Sequence, residues 1–452
     1  MKATVLLAGV GLAILATALF IPCLLILGSN PSKPTVQTST IKSLHTSGHT
    51  IMDSNGNLVY FRGVGRAGDL DSLSGTWGGR GEAVFDNGAK WQTDVSVLRQ
   101  NMDETFACYR DVWKVNLVRI LIPVDWWWID TVNPAQQYCV GPDQVMNYRN
   151  YIELIVQEAA KYGIYVDLCP YEVRNYFVSG DNWDGIPGSL GAASLAYMQT
   201  INMDQMQAWR MWWTSVVDKL GGYSNVIFDM WNDPDDGSNT AVSYEAAAYF
   251  NYTVEMYKTI RAKENFNLIF MQWHANLVPG ATELDWVPQL YNQLKDSTSS
   301  TPSNVGFTAH PYRRAPYPNL GWSTTYMGIR AQLKMPNMVP ATRSNGVDVP
   351  LVFNEMGVMA DPAVYSNDYY PVAQQPEINL PINQRITNEL LFWTAILQNA
   401  KELGIGVCAY YWMQTGVWFG WEALVTDTWA PNNTPEPTEA GKIFINAYSP
   451  WM

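Results

Sequence analysis

Histidine is scarce in this chain: there are four in 452 residues, with no His-Glu-x-x-His run and no Cys-x-x-Cys pair. A catalytic metal centre needs such ligands in concentrated sets, so neither a metal nor another cofactor is expected. Basic residues are short as well, 28 Lys and Arg against 41 Asp and Glu, for a formal net charge of −13. Nucleic-acid surfaces need a basic stripe against the phosphates; none appears, and a neutral partner is easier to reconcile with this charge. The Gly-x-Ser-x-Gly turn that carries a serine nucleophile is absent. Gly63-Val-Gly65-Arg-Ala-Gly68 does match the dinucleotide fingerprint. The residues after it, DLDSLSGTWGGRG, are a Gly-rich loop, so no helix N-terminus would face a pyrophosphate and that reading is rejected.

Charged residues make up only 15% of the chain and apolar ones 47%. That composition allows a large core and argues against general disorder. What is plentiful is aromatic: 20 Trp and 25 Tyr. Core packing alone does not call for so many indoles, since each buried N–H needs a partner. Sugar clefts use them, because the apolar face of a pyranose stacks on an aromatic ring. Core and loop anchoring is expected to absorb roughly half of them.

Residues 3–28 form a nearly unbroken apolar run behind Lys2. It is longer than a signal-peptide core of about 7–15 residues and long enough to span a bilayer. The expectation is a signal anchor over 1–28 with the remainder exported to the cell surface or beyond; a cleaved signal peptide is the alternative. Residues 29–47, rich in Ser, Thr and Pro, read as a linker, and 48–452 as one domain. Export permits disulfides. Cys108 and Cys139 flank the second strand and make a bridge possible, whereas Cys169 and Cys408 sit inside strands as buried thiols.

From Thr50 onward, eight short β-branched or aromatic runs alternate with helical patterns. The runs lie at 57–64, 115–122, 163–169, 225–231, 267–273, 304–310, 350–356 and 406–412, and the helices at 90–113, 146–162, 198–220, 243–264, 282–296, 323–334 and 384–402. Several runs are too uniformly apolar for a sheet with a wet face, which suits parallel strands covered by helices. Eight repeats of the unit predict an α/β fold of the (β/α)8 TIM-barrel type, with an open doubly wound sheet as the rival. The polar and aromatic residues of interest cluster at the carboxyl ends of the runs, where barrels place their chemistry.

With metal and serine chemistry set aside, carboxylates remain. Asp233 ends the fourth strand in Trp-Asn-Asp-Pro and Glu355 ends the seventh in Asn-Glu-Met-Gly. Ends of strands four and seven can face each other across a barrel mouth. Such a pair suits glycoside hydrolysis, one ionised to attack the anomeric carbon and one protonated to serve the leaving oxygen. The bland alternative makes each a strand-end residue capping the next helix.

The surroundings favour the first reading. Over roughly residues 50–425 the chain resembles the family-five glycoside hydrolases, the large cellulase and mannanase family. The resemblance rests on Asn116-Leu117-Val118-Arg119, Trp231-Asn232-Asp233-Pro234, His310 with Tyr312, Glu355-Met356-Gly357 and Trp412, in that order. It implies a polysaccharide substrate, Glu355 as nucleophile and Asp233 at the acid/base position. It further implies that Arg119 holds Glu355 ionised, Asn232 binds a sugar hydroxyl, and His310 and Tyr312 orient the carboxylates. Trp412 would stack on sugar, with Trp126, Trp127, Trp128, Trp183, Trp273, Trp322 and Trp418 as further candidate platforms. Two departures stand out: the family has Glu where this chain has Asp233, and usually His where the third strand ends in Cys169. A missing methylene withdraws a donor by roughly 1.5 Å, so the carboxylates are expected to separate beyond the retaining distance of about 5–5.5 Å, unless the backbone compensates or the nearby Glu172 helps. The implied activity is a retaining endo-β-1,4-glucanase; the alternatives are a mannanase or xylanase, or a surface barrel that binds polysaccharide without cleaving it.

Overall fold

A computed structural model of the chain describes residues 41–65, 95–123, 127, 139–140, 146–171, 203–234, 244–263, 265–273, 276–313, 321–359, 380–410, 421–422, 424 and 436–448. The apolar run and the linker up to residue 40 lie outside the described residues, as do Trp126, Trp128, Glu172, Trp183, Trp412 and Trp418. Among the described residues no helix is long and apolar enough to cross a membrane.

An antiparallel hairpin of β1 (Leu44–Ser47) and β2 (Thr50–Asp53) comes first, so the last residues read as linker are in fact a strand. Then follow β3 (Arg62–Gly65), α1 (Val95–Asp111), β4 (Leu117–Pro123), the two-residue strands β5 (Cys139–Val140) and β6 (Met146–Asn147), α2 (Tyr148–Lys161), β7 (Tyr165–Tyr171), α3 (Met203–Leu220) and β8 (Val226–Asp229). The second half runs α4 (Tyr244–Arg261), β9 (Ile269–Met271), α5 (Trp286–Thr298), β10 (Val305–Thr308), α6 (Tyr326–Leu333), β11 (Leu351–Met356), β12 (Val358–Met359), α7 (Ile382–Leu403), β13 (Gly406–Ala409), β14 (Trp421–Glu422) and α8 (Glu439–Tyr448). Strands β3, β4, β7, β8, β9, β10, β11 and β13 close in that order into a barrel, all parallel. The fold is therefore the (β/α)8 barrel that the strand–helix alternation predicts. The C-terminal tail packs as α8 on α7, with Trp393 and Phe444 stacked at 6.4 Å.

Strand alternation sorts the core. On β4, Val118, Ile120 and Ile122 face the helical cover. Leu117 joins Phe61, Tyr165, Ile227, Phe270 and Val352 inside the barrel, where Ile41, Leu44 and Ile51 of the hairpin segment close the foot. Gly63 is needed at this level: a Cβ there would lie 3.0 Å from both Cys408 and Leu117. Ten of the twenty tryptophans are buried among the described residues, so packing claims at least the half assigned to it from composition. Trp209 of α3 lies 4.9 Å from Trp231, and Trp213 donates to the Tyr252 hydroxyl, which donates in turn to the Met230 carbonyl. That aromatic knot fixes the end of β8, from which Asp233 projects. Cys108 on α1 is a free thiol, pushed up to about 12 by burial and by Asp111, and the side chain of Cys139 lies outside the described residues.

Candidate active site

The barrel interior changes character along its axis. Above the apolar foot sit buried Arg119, Asp167, Asp229 and Asn354, and above these the carboxyl ends of the strands present Glu355, His310, Asn232, Gln272 and Asp233. Glu355 would face outward if β11 alternated regularly, since Val352 packs inside the barrel and Asn354 bonds Asp229 there. The pairing of β11 with β13 shifts register between Phe353 and Met356. This irregularity turns Glu355 inward beside Asn354, as bulges near barrel rims do.

Both Glu355 oxygens are engaged. Arg119 Nη1 donates to Oε2 at 2.7 Å and the Tyr312 hydroxyl to Oε1 at 2.6 Å. Burial, and then the Glu355 charge, raise the Tyr312 phenol well above its ordinary range, so it stays a donor. Burial works against the charge of Arg119, but the anionic groups around it, Asp229 and Glu355 among them, hold it well above its usual value. Charge-assisted bonds of this length strongly favour an ionised acceptor. Arg119 Nη2 also donates to Asn232 Oδ1 at 2.8 Å, and Asn232 Nδ2 to Asp233 Oδ2 at 3.0 Å. One arginine thus spaces the two carboxylates. His310 Nδ1 lies 2.8 Å from Asp233 Oδ1 and 3.8 Å from Glu355 Oε1, without an aligned hydrogen bond to either.

One ligand atom each of Asp233, His310 and Glu355 all lie within 4.8 Å of one another. Asp233 takes φ 44°, a left-handed conformation that Asp tolerates better than most residues. The same three groups have the donor types of a small-cation site, but the bonds to both Glu355 oxygens already account for that carboxylate.

Beneath the site lies a second acidic level. Asp229 Oδ2 accepts from Arg119 Nε at 3.3 Å, from Nη2 at 3.2 Å and from Asn354 Nδ2 at 2.9 Å. Asp167 Oδ2 is 3.8 Å from Arg119 Nε, and neither Asp167 oxygen receives an aligned hydrogen bond. Burial, then the charge of Asp229, push Asp167 well above the ordinary 3.8, against the pull of Arg119. Cys169 is a buried thiol, raised by burial and by Asp229, and accepts from Arg119 Nη2 at 3.3 Å. A carboxyl whose folded-state pKa is raised contributes stability below its unfolded value and loses it as pH climbs through the folded value. Asp167→Asn should therefore melt above the parent at pH 7 and with it near pH 3.8, where the acid is half neutral even unfolded. A melting series across pH checks this; an unchanged gap would mean that Asp167 is not held protonated.

The structure brings together Arg119, Asn232, Asp233, His310, Tyr312 and Glu355, six residues read from the sequence as one site. It removes three expected platforms, Trp127, Trp273 and Trp322. Trp273 is 2% exposed and packs 5.3 Å from Tyr249 and 6.0 Å from Phe250, while Trp322 is buried with its N–H on the Leu277 carbonyl. Trp127 is buried as well, 3.2 Å from Ser215 Oγ. Trp273→Ala is expected to cost about 3–5 kcal/mol of stability with KM unchanged; a raised KM at constant Tm would return it to the cleft. Four residues that sequence reasoning missed are Asp167, Asp229, Gln272 and Asn354. The available signal was a polar residue at an inward position of an otherwise apolar strand.

A closed eight-stranded barrel with two carboxylates facing each other at its C-terminal mouth, one of them held by arginine and tyrosine, defines the protein as of the barrel glycosidase class. The chain belongs to glycosyl hydrolase family 5, the cellulase family, whose family model matches residues 79–408. Among solved structures, a β-glucanase from Saccharophagus degradans in complex with cellotetraose is 16% identical with a TM-score of 0.54, covering 92% of this chain and 96% of that one. The cellulase Cel5C_n is 14% identical with a TM-score of 0.51, covering 92% and 94%. A mannanase catalytic domain from Streptomyces sp. SirexAA-E is 15% identical with a TM-score of 0.49, covering 93% and 95%. At these identities the likeness is one of fold. No curated protein matches the sequence.

Proposed function

We propose that this family 5 glycoside hydrolase is an exported, endo-acting β-1,4-glucanase that works by retaining double displacement. The observation that carries the reading is the carboxylate pair: Glu355 is held at both oxygens by Arg119 and Tyr312, with Asp233 close by across the mouth. Direct attack by Glu355, with Asp233 serving the leaving oxygen, is the retaining use of such a pair. In the first step a Glu355 oxygen bonds to the anomeric carbon while protonated Asp233 gives its proton to the departing glycosidic oxygen. In the second, Asp233 takes a proton from water, which displaces Glu355 with the configuration restored. Glucan as the substrate draws support from the cellotetraose-bound β-glucanase of the same fold. The net charge of −13 suits a neutral polymer, and the apolar run at 3–28 supports export.

Reducing-sugar release from a panel of β-glucan, mannan and xylan tests the reading. Release from β-1,4-glucan is expected, with the initial product keeping the β configuration by NMR. Release from mannan or xylan alone would move the substrate, an α product would move the mechanism, and binding without release from any polymer would favour a non-hydrolytic surface barrel.

A further inference from the structure

Asp233 is one methylene shorter than the family's acid/base residue, yet its carboxylate reaches the same mouth as Glu355. Its backbone takes φ 44°, one of five left-handed non-glycine positions among the described residues and the one at the catalytic carboxylates. Three contacts hold it. Its side-chain oxygens meet Asn232 Nδ2 at 3.0 Å and His310 Nδ1 at 2.8 Å, and its backbone N–H donates to Gln272 Oε1 at 3.3 Å. Gln272 is fully buried and follows β9, where the alternation of Leu268 and Phe270 turns it into the barrel. Its amide oxygen therefore stands where a left-handed residue at the end of β8 presents its N–H. Without that acceptor the N–H would have to find another partner within a buried wall, and the ordinary right-handed or extended conformations would redirect the side chain.

We propose that Gln272 is a positioning residue that locks Asp233 in the left-handed conformation, and that this turn of the backbone supplies the reach that a glutamate side chain supplies in relatives. The idea rests on Asp233 serving as acid/base in the reading above. The missing side-chain length is about 1.5 Å, and misplacement of a catalytic group by about 1 Å can cost about a hundredfold in rate. Small changes at Gln272 are thus expected to be felt in proton donation and hardly elsewhere.

Gln272→Ala and Gln272→Glu, the second keeping an acceptor oxygen, separate positioning from packing. Gln272→Ala should lose about a hundredfold on cello-oligosaccharides, whose alkoxide leaving group needs a proton. It should lose much less on dinitrophenyl cellobioside, whose leaving group needs none. Gln272→Glu should recover part of the oligosaccharide turnover that Gln272→Ala loses. Adding Asp233→Glu to Gln272→Ala should restore oligosaccharide turnover, whereas Asp233→Glu alone should lower it by overreaching. Equal loss on both substrates, or no rescue, would overturn the proposal. A crystal structure of Gln272→Ala reads the geometry independently of turnover. Asp233 should leave positive φ and draw away from Glu355; an unchanged φ and separation would also overturn it. A parent that hydrolyses neither substrate would sink the glycosidase reading, and this structure would then still decide the role of Gln272 in the turn.

Discussion

Glu355→Gln is expected to lower turnover of every substrate by a factor on the order of 10⁴ or more while the chain still folds. The amide is isosteric, and its remaining oxygen still accepts from Tyr312 or Arg119, which hold the carboxylate at 2.6 and 2.7 Å. What it lacks is the anionic oxygen that bonds to the anomeric carbon to give a neutral ester. Because no glycosyl-enzyme forms without nucleophilic attack, whatever the leaving group, activated aryl glycosides should fall as far as polysaccharide does. A 2-deoxy-2-fluoro glycoside with a good leaving group slows breakdown of the glycosyl-enzyme and should accumulate it on Glu355, located by peptide mass. Attachment to another carboxylate, or substantial residual turnover in the variant, would remove Glu355 from the role.

That this site was legible in the sequence follows from how barrels arrange polar residues. Strand C-termini converge on one mouth, so the backbones of Arg119, Asn232, His310 and Glu355 were expected near one another once the strand runs were recognised. The strand periods were clear because parallel strands buried on both faces carry dense apolar runs. Long-range pairing was less visible. The hairpin Leu44–Ser47 with Thr50–Asp53 was lost in a Ser/Thr-rich stretch, since its partner surface, the foot of the barrel, exists only after closure. Trp273 misled because a strand end places its backbone at the mouth without fixing which way the ring goes; Tyr249 and Phe250 of α4 claim it. The consequence of the shorter Asp233 stayed open in the sequence for a related reason. Side-chain length is read from the sequence directly, but the φ of 44° that offsets it depends on Gln272 and Asn232, residues of two different strands' ends. The bulge that turns Glu355 inward is equally invisible, because one register slip between Phe353 and Met356 leaves no mark on composition.

Arg119→Met should be the most damaging single change to the barrel itself. Arg119 is 2% exposed and faces Glu355, Asp229 and Asp167 at 2.7, 3.2 and 3.8 Å. Methionine approximates the stem in volume, so the loss is mainly of charge and hydrogen bonds. Removing one partner of a buried ion network costs about 3–5 kcal/mol, because the remaining charges stay buried without compensation. Turnover should also fall by roughly 10²–10³, as Glu355 loses a preorganised donor and Asn232 loses the bond that sets it against Asp233. The pH dependence has a definite sign. Burial already raises Asp229 above its ordinary 3.8, against the opposing pull of Arg119. Taking Arg119 away strengthens the rise, so the stability tied to Asp229 is present below about its unfolded value and lost as pH climbs. The gap in Tm between variant and parent should therefore be widest at neutral pH and narrow toward pH 4. Asp229→Asn in the same chain should recover part of the loss, because the buried carboxylate that Arg119 balanced is then gone. A double-mutant cycle reads this directly. Additive losses, with no recovery and no narrowing at low pH, would show that Arg119 acts through packing rather than through its charge.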